Sequence, residues 1–241
     1  MNNLKIYYLA HKQFNTDNID KQYSEIIYRD NIHNELEDLK MFYSELYMIY
    51  DLYKHSDKLP NYVGICHYRR FFDCDTNTLI NDLKDNDCIV LSKTTFGNQT
   101  IYEQYSRSCN EEDIKIIGAI IKKYYPEYLQ DYCDIFNGTE ISLCNMIVCK
   151  KDTFIDYYRI MFDLLDKFLK YHGWKTDEDV RKYVENNKEK YPNLSLNNID
   201  PYFKTIEYQM RIAGHISERF MNVYIKHHNL KCKEYPLKLV D

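Results

Sequence analysis

Glycine is scarce in this chain, six in 241 residues, and none falls in a phosphate-loop pattern. Neither GxxxxGK[ST] nor GxGxxG occurs, so a P-loop NTPase or a dinucleotide-binding fingerprint has no support. No apolar run approaches the roughly 18 residues that a membrane-spanning helix needs. The N-terminal stretch MNNLKIYYLAHKQF carries a short apolar segment without a usual cleavage site, so no secretory signal is read there. The eight cysteines include no CxxC pair and read as reduced, mostly buried thiols of a cytosolic protein. Positive charge is not in excess: the net charge of −5 argues against a general nucleic-acid binder, though not against a local basic patch.

What is abundant is tyrosine, 25 of them, too many to be all exposed; many must sit in or beside a core, ring buried and hydroxyl paired. With 44% hydrophobic and 29% charged residues, the chain reads as a globular protein long enough for one sizeable domain. LKIYYLA reads as a first strand. Residues 15–38 are polar and weakly patterned, which predicts a long loop with short elements. MFYSELYMIYDLYKHS sets Phe42, Leu46, Ile49 and Tyr53 on one helical face, and DKLP ends that helix. NYVGICHY reads as the next strand, DTNTLINDLKDN as a short helix and DCIVLS as a third strand. Strand, helix, strand, helix, strand is the signature of an α/β sheet with parallel neighbours. Two helices follow, then a fourth strand in EISLCNMIVCKK, then a long helix striped by Phe154, Tyr158, Met161, Leu165 and Phe168. Residues 173–200 are polar and read as an insertion, a surface helix plus loop. The segment FKTIEYQMRIAGHISERFMNVYIKHH reads as helical with a break near Gly214. No repeat or linker divides the chain, so residues 1–241 are taken as one domain.

Candidate chemistry concentrates in HYRRFF. Ligands of open α/β sheets bind beyond the carboxyl ends of the strands, and His67, Tyr68, Arg69 and Arg70 stand at such an end. An arginine keeps its proton, and its planar fork matches phosphate oxygens, so this run suits a diphosphate. Asp73-Cys74-Asp75 reads D-x-D, which fits either a divalent metal held between phosphates or a polar turn capping the next helix. In IEYQMRIAGHISERF, Glu207 and Arg211 are spaced for a helical ion pair. Ile216, Phe220 and Val223 share a face with Arg219 at its edge, and Glu218 points away. Arg219 or His215 could reach a site there, with Glu218 as a nearby carboxylate. Glu45, alone on its helix, and His11, just after the first strand, complete the set. His172, His227 and His228 read as solvated.

The segments YSELYMIYDLYK, NYVGICHYRRFF, YYPEYLQDY, CNMIVCKKDTFIDYYRIMFDLL and AGHISERFMNVYI stand in an order that resembles a bacterial family of capsule and exopolysaccharide glycosyltransferases, long filed as a domain of unknown function. The resemblance spans about residues 4–228. It implies a GT-A-like fold and transfer of a hexose, galactofuranose among the candidates, from a nucleotide-diphosphate donor, UDP-linked in expectation, onto a growing surface glycan. It also implies acceptor contacts at Asn145 and Met146. In many GT-A enzymes the equivalent strand ends in a metal-holding D-x-D; here HYRR stands in that place. The expectation is therefore a metal-independent enzyme in which His67, Arg69, Arg70 and Arg219, with His11, Glu45 and His215 nearby, hold the donor. Mg²⁺ or Mn²⁺ on the aspartates is the alternative. A general base would come from Glu218 or Asp73. The acceptor is expected to be lipid-linked or an oligosaccharide, met by a cytoplasmic protein, peripheral at most to the inner membrane face. A nucleotide-sugar hydrolase and a non-catalytic nucleotide-sugar or glycan-binding partner remain open.

Overall fold

The structure is a computed structural model and describes residues 4–240. In chain order it runs β1 (Leu4–Ala10), β2 (Ser24–Tyr28), α1 (Lys40–Tyr43), α2 (Leu46–Lys54), β3 (Tyr62–His67), β4 (Arg70–Phe72), α3 (Thr76–Asp82), β5 (Cys88–Leu91) and β6 (Thr94–Thr95). Then come α4 (Ile101–Ser106), α5 (Glu111–Tyr124), α6 (Leu129–Asn137), β7 (Glu140–Ile141), β8 (Ile147–Lys150) and α7 (Lys151–His172). The chain closes with α8 (Asp177–Asn186), α9 (Ile206–Gln209), α10 (Ile212–His227), β9 (Cys232–Tyr235) and β10 (Leu237–Leu239).

The central sheet carries its two longest ladders as parallel pairs, β1 with β2 and β1 with β3, and β5 is parallel to β9. β8 runs antiparallel between β3 and β5, so the second and third strands of the expected βαβ series do not touch. Side chains alternate across the strands, as the pleat demands. Tyr7, Leu9, Val63 and Ile65 face the larger core, with α2, α5, α6, α7 and α10. Leu4, Ile6, Tyr8 and Cys66 face a smaller one closed by α3 and Phe71–Phe72. The α/β class and helical cover on both faces therefore stand. The stripe expected on α7 is buried throughout, each of its five residues at most 1% exposed. No helix among the described residues is long and apolar enough to cross a membrane.

Several local readings change. The polar stretch before residue 38 contains β2, an edge strand held by β1; only Ile27 of its five residues is buried, so it carries almost no apolar signal. The helix expected across residues 41–56 is two helices, broken at Ser44. The terminal helix breaks at Met210–Arg211, not at Gly214, which lies inside α10. Strands β9 and β10 follow it, β10 pairing antiparallel with β4. The polar segment after residue 173 is docked rather than loose: Asp177 accepts the backbone N–H groups of Met41 and Phe42 at 2.8 and 3.0 Å, satisfying the free donors at the start of α1. The three histidines expected in solvent are partnered: His172 stacks on Trp174, His227 meets Asp131 and His228 meets the Tyr128 hydroxyl.

Candidate active site

Three neighbouring parallel strands end at one cleft of about 700 Å³. Within three residues of its end, each delivers a cation to it: β1 gives Lys12 beside His11, β2 gives Arg29, and β3 gives Arg69 and Arg70. The turn that does this for β3 is only Tyr68–Arg69, because β4 starts at Arg70 and pairs back, His67 opposite Arg70. Phe71 and Phe72 then return to the core. A buried strand thus runs into two arginines because a two-residue hairpin lifts them into the cleft and turns the chain back beneath them.

Tyr68 is the floor of the basic patch. Arg69 lies over its ring at 4.9 Å and Lys12 at 5.9 Å, while His11 meets it edge-on at 4.8 Å. Burial, then the surrounding Arg29, Lys12, Arg211 and Arg69, push the His11 imidazole below its usual pKa. Lys12, Arg69 and Arg70 have no carboxylate partner among the described residues. The cleft holds six permanent cations, Lys12, Arg29, Lys40, Arg69, Arg70 and Arg211, against two carboxylates, Glu45 and Asp200. That is an excess of four positive charges in a chain whose net charge is −5. Such focused charge attracts and retains anions.

Behind the cations is a buried polar hub on Glu45, which is 7% exposed. Asn145 Nδ2 donates to its Oε1 at 2.7 Å, and the Ser44 hydroxyl donates to its Oε2 at 2.6 Å. Arg211 donates through Nη2 to Oε2 at 3.3 Å and through Nε to Ser44 Oγ at 2.8 Å. Burial alone would raise the Glu45 carboxyl; Arg211, with His67 and the Ser44 hydroxyl, outweighs it and holds the pKa at about 2. Gly214 gives the hub room: a Cβ there would stand 3.3 Å from both Glu45 Oε2 and Ser44 Cβ, a tight contact. His67 completes the hub by donating from Nε2 to the Cys144 carbonyl at 2.5 Å, which leaves Nδ1 as the acceptor nitrogen. Burial lowers the His67 pKa, with Glu45 opposing and Arg70 reinforcing.

The backbone is strained at the same place. Ser44 has φ 54° and ψ −126°, and Cys144 and Asn145 have φ 73° and 50°. Non-glycine residues in such regions cost on the order of 1–3 kcal/mol each and persist where the surroundings hold them. Here the hold is the Ser44–Glu45–Asn145–Arg211 network.

Of the expected site residues, the structure brings His11, Glu45, His67, Arg69 and Arg70 to the cleft. The others lie elsewhere. Asp73 is exposed past the far end of β4, and Asp75 caps α3, its Oδ1 accepting the Thr78 N–H at 2.9 Å. Asp75 thus caps α3, and neither aspartate lines the cleft. Glu218 Oε2 is bonded to Arg219 Nη1 at 2.9 Å, and its Oε1 accepts the Cys144 N–H, so it is poorly placed as a base. Arg219 is buried among His215, Gln104 and the Tyr105 ring and does not line the cleft. Burial, Arg211 and Arg219 push the enclosed His215 imidazole down to about 3. Met146 is fully buried in the smaller core, Asn145 is bonded to Glu45, and neither lines the cleft. Among the described residues, no group of three or more His, Cys, Asp or Glu side chains could hold a metal ion.

Arg211 is the residue that spacing misassigned. Its expected partner Glu207 bonds Arg181 instead, at 2.8 Å, and Arg211 turns inward to Glu45. Asp200 and Tyr202, from the polar segment and the turn after it, also line the cleft.

The sheet order, its helical cover and a cleft at the carboxyl ends of parallel strands define a Rossmann-like α/β fold. Over its whole length the chain superposes on the apo structure of WbbM, a bifunctional glycosyltransferase, with a TM-score of 0.72 and 22% identity, and it spans 46% of that protein. It belongs to the family described as a domain of unknown function (DUF4422), which it matches over residues 5–186. No curated protein matches it. Asp200, Tyr202 and Arg211 lie beyond the matched residues.

Proposed function

We propose that this protein is a glycosyltransferase, GT-A-like in its donor site, that binds a nucleotide-diphosphate sugar in the cleft and transfers the sugar to a growing cell-surface polysaccharide. The observation that carries the reading is the convergence of cations from the ends of three adjacent parallel strands, of which Lys12, Arg69 and Arg70 have no carboxylate partner among the described residues. Lys12, Arg69 and Arg70 would hold the two phosphates. As the bond to the anomeric carbon breaks, negative charge grows on the diphosphate, and preorganised cations stabilise that charge. His67 and the Glu45 hub would fix the loop that carries the arginines. The same cations could replace a metal ion, and we read the enzyme as metal-independent. UDP is the expected carrier, with a hexose, galactofuranose among the candidates. The acceptor is expected to be a lipid-linked glycan or oligosaccharide, met at the cytoplasmic membrane face.

A thermal-shift screen of nucleotide diphosphates and nucleotide-sugars tests this, run in EDTA and again with Mn²⁺. A ligand that binds only the folded chain raises the midpoint by mass action. A shift with one nucleotide class in EDTA, weakened in Arg69→Ala and Arg70→Ala, is the expected result. Each lost charge-assisted contact is worth about 1.5–3 kcal/mol, hence about tenfold or more in affinity. A shift that needs Mn²⁺ would overturn the metal-independent reading. No shift with any nucleotide would remove the donor site itself.

A further inference from the structure

Asp200 and Tyr202, which line the cleft, belong to one 3-10 turn, Pro201–Lys204, with Asp200 as its cap. Asp200 Oδ1 accepts the Tyr202 N–H at 2.9 Å, and among the described residues its second oxygen has no partner. Beside it three rings gather: Tyr202 to Tyr208 at 5.3 Å, Phe203 to Tyr208 at 4.9 Å and Tyr202 to Phe203 at 5.9 Å. The base of this cluster is fixed. Tyr208 rests on His215, and Gln209 holds the Phe203 carbonyl at 3.1 Å. Arg211 donates to the Tyr202 hydroxyl at 3.0 Å. The top is open: Tyr202 is 51% and Phe203 39% exposed. Two held aromatic rings left uncovered at the rim of a polar cleft mark a ligand surface rather than a loose loop.

We propose that Asp200 and Tyr202 form the acceptor subsite, with Phe203 extending it. A sugar ring has an apolar C–H face and an edge of hydroxyls. The face suits the exposed Tyr202 ring, and a hydroxyl suits the open oxygen of Asp200. This rests on the glycosyltransferase reading, and it gives the two sides of the cleft different work. The cations hold the donor diphosphate, and the rim holds the acceptor. Of the two carboxylates lining the cleft, Glu45 is tied to Arg211, Ser44 and Asn145; Asp200 is the one free to face a substrate. In the transfer step, the acceptor hydroxyl oxygen bonds to the anomeric carbon. The bond from that carbon to the diphosphate oxygen breaks, and its electron pair leaves with the nucleotide diphosphate. The hydroxyl proton passes to the Asp200 carboxylate and from there to solvent.

The test is saturation-transfer NMR on the full chain with UDP and a panel of octyl hexopyranosides, followed by UDP release from UDP-hexoses with any glycoside that binds. In wild type, signal is expected on UDP and on the ring protons of at least one glycoside. Tyr202→Ala should lose the glycoside signal or raise the acceptor KM at least tenfold while UDP binding persists. Tyr202→Phe, which keeps the ring, should retain glycoside binding. Asp200→Asn should bind both ligands and lower kcat about a hundredfold or more, the usual contribution of a positioned base. If UDP fails to bind wild type, the donor reading fails. If UDP binds but no glycoside does, or if Tyr202→Ala leaves glycoside binding unchanged, the acceptor subsite is wrong. If Asp200→Asn turns over normally, Asp200 is not the base.

Discussion

Arg211 Nη2 stands 3.3 Å from Glu45 Oε2, an ion pair closed between residues 166 positions apart. It joins the break between α1 and α2 to the start of α10 and carries the strained Ser44 with it. Every group it holds has a second partner: Glu45 also takes Asn145 and Ser44, and Arg211 also takes the Tyr202 hydroxyl. The pair therefore links the Glu45 hub to the Tyr202 turn.

Removing one member should cost more than removing both. Arg211→Met leaves a buried carboxylate without its cation. We expect a loss of about 3 kcal/mol, the low end for a broken buried pair, because Arg211 keeps 28% of its side chain exposed. Glu45→Gln should cost less, and the double variant should recover part of the loss, giving a coupling of about 1 kcal/mol or more in a double-mutant cycle. The pH dependence has a definite sign. Glu45 ionises at about 2 when folded, below its ordinary 4.5. Its contribution is full above pH 4.5 and is lost as pH falls toward 2, so wild type and Glu45→Gln should converge over that window. Urea melts at neutral pH and across that interval measure both effects. An additive cycle would show that the pair is incidental.

Asp113 should behave in the opposite way. It is 1% exposed, its Oδ2 accepts the Tyr105 hydroxyl at 3.2 Å, and its Oδ1 has no partner. Burial raises its pKa from 3.8 to about 8, against the pull of Tyr105. The folded chain thus holds a proton that the unfolded chain releases. Stability from this group is full below pH 3.8 and declines as pH rises through about 8. Asp113→Asn keeps the acceptor for Tyr105 and removes the titration. It should stabilise the protein at pH 8 by about 1 kcal/mol or more, because it removes the proton that the folded chain takes up and the unfolded chain does not, with little gain near pH 4. That is a rise of about 2–4 °C in Tm for each kcal/mol. A Tm at pH 8 equal to or below that of wild type would refute it.

Much of this architecture could be read from residue pattern, because most of its elements announce themselves locally. The stripe on α7, the apolar runs of β1, β3 and β5, and the cationic end of β3 all carry their signal within one turn or one strand. What escaped was whatever long-range contact decides. β2 is an edge strand with one buried residue, and only β1 explains it. β9 and β10 lie in a charged tail that becomes strand by pairing with β5 and β4. Arg211 looked like half of a helical pair because spacing sees only neighbours, and its true partner lies at the break between α1 and α2. Glu218 and Arg219 looked reactive because charge in an apolar helix is unusual; the structure shows them satisfying each other. Asp200 and Tyr202 had no signal beyond their place in a long polar segment.

The sheet also carries a thiol pair. Cys88 on β5 and Cys232 on β9 are in register on parallel neighbours, with their Sγ atoms 3.0 Å apart and both thiols free. Neighbouring strands lie about 4.8 Å apart, inside the Cα separation of about 4.4–6.8 Å that a disulfide requires. The hydrogen bond between the thiols, with burial, raises the Cys88 pKa; the same bond lowers that of the more exposed Cys232. Cys232 should therefore be the thiolate that attacks an oxidising disulfide such as oxidised glutathione. That attack releases one reduced glutathione; Cys88 then attacks the Cys232 sulfur of the mixed disulfide, releasing the second and leaving the protein pair oxidised. The bond would close a loop between residues 144 positions apart and staple the tail strand to β5. In the chain-entropy account a loop of that length stabilises by up to about 5 kcal/mol. Non-reducing peptide mapping should find a Cys88–Cys232 link with the loss of two hydrogens, a raised Tm that reductant reverses, and neither effect in Cys88→Ser. Oxidation confined to the exposed Cys133 would show that the strand pairing does not bring the two sulfurs into reach of each other in solution.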